Sequence, residues 1–341
     1  MVHVLPLQAA IGTVLAHDIT EIVPGRFKGR AFRKGHVVTR ADIDHLRDLG
    51  KEHLYVLKIS DIELHEDEAA LRLASALAGD GIEHDCSPKE GKVELRAADN
   101  GLLKIDVAAL YRFNLLGDVM CATRHDNTVV KKGDRVAGTR AISLVIPLGR
   151  VEQAESICRG AGGILKVLPL RKAHVGVVIT GNEVYSGRIR DRFRPVVEGK
   201  VEELGSEVVD VRYVPDRREA IAQSVRDLLD QGADLILATG GMSVDPDDVT
   251  CHAIEDAGAD PVIYGASVLP GAMLMVAYIG EVPVIGIPAC AMFHSITLFD
   301  LLFPRILAGE RIGREQIAAL GHGGFCINCP ECRFPVCPFG K

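Results

Sequence analysis

A short stretch near the middle of the chain combines a glycine turn with a group of acids. Thr239-Gly240-Gly241 follows the apolar run 235–238, and Asp245, Asp247 and Asp248 come just before a predicted helix that begins near residue 249. Backbone amides at such a turn and helix start bind phosphate, and carboxylate oxygens are ligands for Mg²⁺. The pattern therefore favours a phosphate and metal site. The alternative is a surface turn, since Asp, Pro and Gly break structure anywhere.

Two other predicted strands end in unusual loops. One loop runs from Thr180 to Gly187 with Asp191 after it, and the other covers residues 287–291. In an open parallel sheet, ligands bind beyond the carboxyl ends of the strands, where the strand order switches. Three loops that leave the sheet in the same direction indicate one shared site at that edge.

These loops lie in a region where predicted strands and helices alternate. The strands are predicted at 174–180, 208–214, 234–238, 261–264 and 282–287, and the helices at 192–204, 217–229 (with Asp216 as N-cap), 249–257 and 292–302. This alternation predicts an α/β fold with an open, mostly parallel sheet and helices on both faces.

The first 172 residues predict a mixed α/β arm region with helices at 42–49, 66–77, 107–116 and 152–159. Residues 26–34 carry five positive charges in nine positions: Arg26, Lys28, Arg30, Arg33 and Lys34. Either this is an anion-binding loop, or it is a hairpin edge that charge protects from pairing with another strand. The expected domains are 1–172, 173–312 and a cysteine-rich tail at 313–341.

The tail predicts a metal site. Cys326, Cys329, Cys332 and Cys337 are separated by two, two and four residues, and Pro338 follows. The spacing is near the ferredoxin pattern, with a last gap one residue longer, so zinc and a 4Fe-4S cluster both remain open. We adopt zinc because nothing else in the chain suggests electron transfer. A disulfide pair or a disordered reduced tail is the alternative.

Composition excludes some classes of function. The 341 residues have a net charge of −7, which is unlike the basic face of a nucleic-acid-binding protein. The N-terminus lacks a signal-peptide pattern, and nine cysteines without one predict a cytoplasmic protein with reduced thiols. Residues 268–293 carry only one charge, but three prolines divide them, which favours two buried strands over a membrane span.

Taken in order, the loops resemble the molybdopterin-binding domain of molybdenum-cofactor biosynthesis proteins, the MoaB/Mog and MoeA group. The matching residues are Thr180, Gly181, Glu183, Gly187, Asp191, Thr239, Gly240, Gly241, Ser243, Asp248, Thr250, Pro270 and Gly271. The resemblance covers about residues 173–310, and the arm from residue 15 onward is similar to MoeA-type molybdotransferases. It implies a molybdopterin or adenylylated molybdopterin ligand, Mg²⁺, molybdate insertion with release of AMP, and a homodimer.

The resemblance also implies roles for single residues. Asp248 would help to hold the metal or the phosphoanhydride, and Glu183 and Asp191 would be further catalytic acids. The cofactor-binding set would be Thr180, Gly181, Gly240, Gly241, Ser243, Pro270 and Gly271. Each acid has an alternative role, since a carboxylate at a helix start stabilises the helix dipole without any ligand.

Three departures from the family pattern leave two hypotheses open. Asn182 stands where Asp is usual, Ala289-Cys290-Ala291 replaces Gly-Asn-Pro, and Leu269 and Ala272 stand where basic residues commonly flank Pro-Gly. The first hypothesis is a MoeA-type molybdotransferase. The second is a non-catalytic molybdopterin-binding carrier, sensor or assembly factor that serves a molybdoenzyme partner.

Overall fold

The computed structural model describes residues 2–23, 27–57, 59–89, 91–242 and 249–340. The chain divides into an N-terminal unit (1–99, 103–124 and 130–167) and a C-terminal unit (100–102, 125–129 and 168–341). The predicted roles of Ser243, Asp245, Asp247 and Asp248 fall on residues outside the described ranges.

Short strands dominate the chain up to residue 168. In order, the elements are β1 Val2–Pro6, β2 Val14–Leu15, β3 Ile19–Val23, β4 Phe27–Phe32, α1 Asp42–Asp48, β5 His53–Leu57, β6 Glu63–His65, α2 Glu66–Leu77, β7 Ile82–His84, β8 Lys92–Ala97, β9 Gly101–Ile105, α3 Val107–Leu115, β10 Val119–Thr123, β11 Thr128–Val130, β12 Arg135–Ala141, β13 Val145–Pro147, α4 Leu148–Gly160 and β14 Leu165–Leu168. The largest sheet described in this part of the chain has four strands in the order β10–β12–β8–β7. Strands β3 and β4 pair as an antiparallel hairpin. The mixed α/β character predicted for this region is confirmed.

Helix α2 follows its prediction residue for residue. Its apolar buried side chains recur at helical spacing, at Ala69, Ala70, Leu73, Ala74 and Leu77. The Nδ1 atom of His65 accepts the N–H of Asp67 at 3.2 Å, which caps the helix start. Arg72 donates two hydrogen bonds to the Glu155 carboxylate, at 2.8 and 2.9 Å, and so joins α2 to α4.

The C-terminal unit contains the alternating region. Its elements are β15 His174–Thr180, α5 Asn182–Tyr185, α6 Phe193–Glu203, β16 Glu207–Val214, α7 Arg218–Asp230, β17 Leu235–Thr239, α8 Thr250–Asp256, β18 Val262–Tyr264, β19 Met275–Ile279, β20 Val282–Ile287, α9 Leu298–Leu307 and α10 Arg314–Ala319. The sheet order is β16–β15–β17–β20–β19–β18. The pairs β15–β16, β15–β17 and β17–β20 are parallel, and β19 pairs antiparallel with both β18 and β20.

This sheet confirms the predicted open, mostly parallel α/β fold. From β15 the chain moves outward to β16, and it then returns to place β17 on the other side of β15. The strand order therefore switches between β15 and β17, which is where ligands bind in folds of this class.

Both faces of the sheet are covered. Val175, Val177 and Ile179 of β15 join a core with α6 and α9, whereas Val178 joins a separate core with α7 and α8. The residues of β17 divide between the same two cores. A strand that is buried on both faces has no polar alternation, which explains why these apolar runs predicted central strands.

The segment that resembles a membrane span folds as two strands, β19 and β20, within the sheet. Among the described residues, no helix combines the length and the apolar character needed to cross a bilayer.

The predicted N-cap of α7 is wrong. The residue that precedes α7 is Arg217, and no side chain caps the helix there. The Asp216 carboxylate instead accepts the backbone N–H of Asn182 at 2.8 Å. The local sequence predicts that this carboxylate caps α7, but in the structure it makes a tertiary hydrogen bond to the loop after β15.

The helix predicted over 292–302 is observed at Leu298–Leu307, so both predicted bounds lie too early in the chain. Residues 289–292 form a 3₁₀ turn, and α9 begins at Leu298 and continues through Pro304. Thr297 and Asp300 form a capping box, in which the Asp300 carboxylate accepts the N–H of Thr297 at 2.7 Å. The first N–H groups of a helix have no partner within the helix, and this box gives partners to those of Thr297 and Phe299. The helix therefore starts here and not at the apolar residues before it.

The cap gives a testable contribution to stability. We expect Thr297→Ala to lower the free energy of unfolding by about 1 kcal/mol, because the hydroxyl that accepts the N–H of Phe299 is lost. Thr297→Ser keeps the hydroxyl and is the matched control. Urea denaturation measures both, and equal destabilisation of the two variants would assign the effect to the buried methyl group instead of the cap.

Candidate ligand site at the carboxyl ends of the sheet

The turn after β17 lies directly against the end of β15. Gly240 has a φ of +86°, and a Cβ atom there would lie 2.6 Å from the carbonyl oxygen of Thr180 and 2.7 Å from its Oγ1. Glycine is therefore required both by the backbone conformation and by the lack of space. This close approach brings two of the three predicted loops together.

The start of α8 holds the same turn from the other side. The Thr250 hydroxyl donates to the carbonyl oxygen of Gly240 at 2.9 Å, and the Thr250 N–H donates to that of Gly241 at 3.2 Å. Both carbonyls of the Gly-Gly turn are thus occupied by protein donors. The turn presents a fixed backbone to the space beyond the strands.

Two buried hydroxyl groups at these strand ends have no hydrogen-bond partner within the described part of the chain. They belong to Thr180, which is 4% exposed, and Thr239, which is fully buried. A buried polar group without a partner costs about 1–3 kcal/mol, so such groups are commonly satisfied by water or a ligand. The positions mark the switch point as a polar site.

Two adjoining cavities surround the Gly-Gly turn and share Gly240, Gly241 and Ala289. The first cavity, of about 620 Å³, extends towards the loop after β15 and includes Thr180, Gly181, Glu183 and Asp191. The second, of about 510 Å³, extends towards Pro270 and Gly271. All the predicted site residues of this domain that the structure describes therefore line one or both cavities.

The two described acids of the site differ in their contacts. The Asp191 carboxylate accepts the N–H groups of Phe193 at 2.8 Å and Arg194 at 3.1 Å, and the hydroxyl of Tyr213 at 3.1 Å. These contacts hold the start of α6, as the alternative role of a helix-start carboxylate requires. Burial, together with the hydrogen bond to Asp191, raises the pKa of Tyr213, so the phenol stays a proton donor.

Glu183 has a freer carboxylate. The residue is exposed, and its carboxylate makes no hydrogen bond or ion pair with any described residue, whereas its carbonyl oxygen accepts the Ser186 hydroxyl at 3.4 Å. A Cβ atom on Gly181 would lie 3.2 Å from its Oε1, so the carboxylate folds back over the end of β15. Of the two acids, Glu183 is the one with oxygens open to a ligand or a cation.

Asn182 and Asp216 form a reciprocal pair that sequence reasoning missed. The Asp216 carboxylate accepts the N–H of Asn182, and the Asn182 side-chain oxygen accepts the N–H of Asp216 at 3.2 Å. Asp216 also lines the first cavity. The sequence signal for Asp216 is its place directly after Pro215, which follows the end of β16.

Two arginines at the first cavity were also missed. Arg190 and Arg192 line it, and neither guanidinium has a partner among the residues that the structure describes. Arginines at every second position from 188 to 194 are the signal in the sequence. These side chains place two positive charges at the first cavity.

The second cavity has a more apolar wall. Among the described residues, its lining contains no charged side chain and includes Met242, Leu269, Met273 and Cys290. Burial raises the pKa of the Cys290 thiol, while N–H groups of Cys290 and Gly271 act in the opposite direction. The group is therefore a neutral thiol at physiological pH.

The loop that carries Pro270 and Gly271 forms the outer wall of this second cavity. The carbonyl oxygen of Pro270 accepts the N–H of Leu298 at 3.2 Å, which ties the loop to the start of α9. Leu269 pairs with Phe325 as a parallel bridge, and its carbonyl oxygen accepts the N–H of Cys326 at 2.8 Å. The wall of the cavity is thus held between α9 and the cysteine-rich tail.

The four cysteines of the tail do not converge in the structure. Cys326 and Cys337 are partly buried against the α6–α9 core, whereas Cys329 and Cys332 are exposed, and all four are free thiols. Within the described ranges, no group of three or more His, Cys, Asp or Glu residues is arranged to hold a metal ion. The tail itself is anchored by Phe339, which is 3% exposed.

The sheet defines a doubly wound α/β domain with two adjoining cavities at its switch point. Residues 176–308 match the family model described as "Probable molybdopterin binding domain". This match confirms the resemblance carried by the three loops. Residues 4–58 match a second model, described as "Domain of unknown function (DUF8806)".

Curated relatives match a small part of the chain. CinA-like proteins of Mycobacterium tuberculosis and Mycobacterium avium are each 38% identical over 82 residues, which are 24% of this chain and 19% of the relative. The chain thus spans about a fifth of the length of the curated relatives that it matches.

Two solved structures of molybdopterin biosynthesis proteins are similar to this chain. A molybdopterin biosynthesis MoeA protein from Pyrococcus horikosii is 16% identical, with 74% of this chain and 80% of that chain covered and a TM-score of 0.34. The molybdopterin biosynthesis Mog protein from Mycobacterium ulcerans is 18% identical, with 40% and 98% covered and a TM-score of 0.35.

The contact between Gly240 and Thr180 can be tested with a matched glycine. We expect Gly240→Ala to lower the free energy of unfolding by more than about 2 kcal/mol, because its Cβ would meet the Thr180 backbone. Gly205→Ala is the control, since Gly205 also has a positive φ, +77°, but no atom lies within 4 Å of its added Cβ.

Gly205→Ala should cost about 1 kcal/mol from the backbone conformation alone. Urea denaturation of both variants gives the comparison. Equal losses would mean that the close approach of the two strand ends contributes nothing beyond the left-handed conformation.

Proposed function

We propose that the C-terminal unit binds a molybdopterin-type ligand at the carboxyl ends of β15, β17 and β20, and that the chain acts in molybdenum cofactor biosynthesis in the cytoplasm. The observation that carries the proposal is the pair of cavities around Gly240 and Gly241. Thr180 lines one of them and Thr239 directly precedes Gly240, and the buried hydroxyl groups of both have no hydrogen-bond partner among the described residues. The family match over residues 176–308 supports this ligand class.

The two cavities suit different parts of such a ligand. The first contains Arg190, Arg192 and Glu183, so it fits the phosphate end of the ligand and any cation that accompanies it. The second contains thioether and thiol sulfur atoms, of Met273 and Cys290, which fit the pterin ring and its dithiolene. The glycine backbone that the cavities share would lie beneath the middle of the ligand.

For the reaction, we propose insertion of molybdate into the dithiolene of adenylylated molybdopterin with release of AMP. In this step water attacks the phosphoanhydride and the P–O bond that joins AMP to the pterin phosphate breaks, so negative charge develops on the leaving phosphate. Molybdate exchanges two of its oxygens, which leave as water, for the two sulfur atoms of the dithiolene. Arg190 and Arg192 are placed to stabilise that charge, because they line the cavity and have no partner among the described residues.

The Mg²⁺ requirement is part of this proposal. Oxygen ligands suit Mg²⁺, and the open carboxylate of Glu183 is the donor that fits it within the described part of the site. Asp248, outside the described residues, is the second proposed ligand. When bound, the ion would neutralise phosphate oxygens of the ligand.

The alternative is a non-catalytic molybdopterin carrier, sensor or assembly factor for a molybdoenzyme. Two observations favour it: Asn182 provides no charge, and the Asp191 carboxylate is occupied by α6 and Tyr213. The homodimer that the resemblance implies is a further proposal under either hypothesis.

The two acids should behave differently on substitution. We expect Glu183→Gln to weaken Mg²⁺-dependent binding of adenylylated molybdopterin about tenfold, because an open carboxylate ligand is lost. Asp191→Ala should instead lower the free energy of unfolding by about 1 kcal/mol, because α6 loses its carboxylate cap. Titration with and without Mg²⁺, together with urea denaturation, separates the two effects.

A turnover assay with adenylylated molybdopterin, Mg²⁺ and molybdate decides between the hypotheses. Release of AMP by the wild type, and its loss in Asp248→Ala, would support the molybdotransferase. Tight binding without release of AMP would support the carrier. Absence of binding would contradict both, and an unchanged Asp248→Ala variant would remove that residue from the site.

We also propose that Cys326, Cys329, Cys332 and Cys337 bind one zinc ion, with a 4Fe-4S cluster as the alternative. Four thiols within twelve residues can reach one ion when the tail rearranges around it. Wild type purified anaerobically should carry about one zinc per chain, or a brown chromophore if the metal is a cluster. Cys329→Ser and Cys332→Ser should lose the metal.

Cys86→Ser is the matched control, because Cys86 is also an exposed thiol but lies outside the tail. Metal analysis and the visible spectrum give the readout. Metal-free wild type from metal-replete cells would end this proposal in both forms.

A further inference from the structure

The N-terminal unit contains a cavity of about 1100 Å³, which is large enough for a nucleotide-sized molecule. It lies between the end of β4 with the residues that follow it, the junction of β6 and α2, and the segment that connects β12 to β13. Its lining is strongly charged, with basic side chains from Arg30, Arg33, Lys34 and Arg140. The function proposed for the C-terminal unit does not use this cavity.

Asp18, an acid of the lining, is held by protein donors. One of its carboxylate oxygens accepts the backbone N–H of Lys34 at 2.7 Å, and the other lies 3.4 Å from the Arg30 guanidinium. The hydrogen bond from Lys34 is the largest cause that lowers the pKa of Asp18. The carboxylate therefore fixes the basic segment in place, and it stays ionised near neutral pH.

Glu66 is buried at the wall of the cavity. Its side chain is 8% exposed and lies 3.1 Å from the Arg140 guanidinium. Burying a carboxylate is costly without such a partner, so the pair holds Arg140 at the cavity. The Arg140 side chain itself remains 38% exposed.

The other two acids of the lining are also engaged. Glu63 accepts the N–H and the hydroxyl of Ser60, at 3.1 and 2.8 Å. Asp67 accepts the N–H of Gly91 at 3.2 Å. Every acid of the cavity thus accepts at least one hydrogen bond from the protein.

Three basic groups of the lining, those of Lys34, Arg30 and Arg140, keep donors that no described residue uses. The Lys34 ammonium group has no partner among the described residues. Arg30 uses Nη1 for Asp18, and Arg140 uses Nε for the carbonyl oxygen of Ala141 and Nη2 for Glu66. A guanidinium has five N–H groups, more than these contacts occupy, so donors that no described residue uses remain at the cavity.

We propose that this cavity binds a phosphate-bearing small molecule, with Lys34, Arg30 and Arg140 as the phosphate ligands. Charge-assisted hydrogen bonds from ammonium and guanidinium groups are the strong contacts for phosphate. The volume exceeds that of a single phosphate, so the molecule has an organic part or a second phosphate. The basic segment of the β3–β4 hairpin is on this basis an anion-binding element.

The test uses inorganic pyrophosphate and AMP as probes, titrated by calorimetry into the full chain. Lys34→Ala and Arg30→Ala should each weaken binding about tenfold, because each removes a charge-assisted contact. Asp18→Asn should strengthen binding about threefold, since it removes a negative charge and keeps an acceptor for the Lys34 N–H. Tighter binding of AMP than of pyrophosphate would identify the organic part as recognised.

Two controls separate this cavity from the rest of the chain. Arg47→Ala removes an exposed positive charge on α1, outside the cavity, and should leave binding unchanged. Arg190→Ala with Arg192→Ala disables the cationic side of the C-terminal site and should leave the N-terminal binding in place.

Dissociation constants above about 1 mM for both probes would overturn the proposal. Binding lost only with Arg190 and Arg192 would overturn it too, because the phosphate would then lie in the C-terminal unit. Circular dichroism of each variant confirms that a loss of affinity does not come from unfolding.

Discussion

The contact between the backbone of Gly240 and Thr180 is the constraint on which the C-terminal site depends. Neighbouring parallel strands leave little room where their carboxyl ends meet, and here the turn after β17 crosses the end of β15 with no space for a side chain. Because Thr250 holds both carbonyl groups of the turn, the turn cannot move away from the strand. The cavities on its two sides are consequences of this fixed crossing.

The same crossing buries two polar groups at the strand ends. Thr180 and Thr239 are the last residues of their strands, and packing buries their hydroxyl groups where no other described residue donates to them or accepts from them. Core packing alone would favour Val at such positions. Buried hydroxyl groups at such positions are commonly satisfied by water or a ligand.

The sequence predicted elements well where local pattern and tertiary packing agree. The helix at 66–77 and the strand at 174–180 have the observed bounds, since apolar spacing is set by burial. The sequence-based prediction failed where a residue distant in sequence competes with a local contact. Asp216 is an example, since its carboxylate binds the N–H of Asn182 and does not cap α7. The prediction also missed the start of α9, because the capping box at Thr297 outweighed the apolar residues before it.

The candidate sites also differ in how far local sequence predicts them. Glycines and acids of the three loops were found because their spacing is local, but the roles of Glu183 and Asp191 differ only through contacts that spacing does not show. The N-terminal cavity depends on Arg140, which is far in sequence from the basic segment at residues 30–34. No local pattern joins those two parts.

The pairing of Asn182 with Asp216 bears on how the site is assembled. The family usually has an acid at the position of Asn182, and two carboxylates in contact with each other repel unless a cation lies between them. Here the amide and the carboxylate exchange hydrogen bonds with each other's backbone, so the loop after β15 is held without a cation. The cation site proposed above therefore depends on Glu183 and Asp248, because the pair of Asn182 and Asp216 is already held by its own hydrogen bonds.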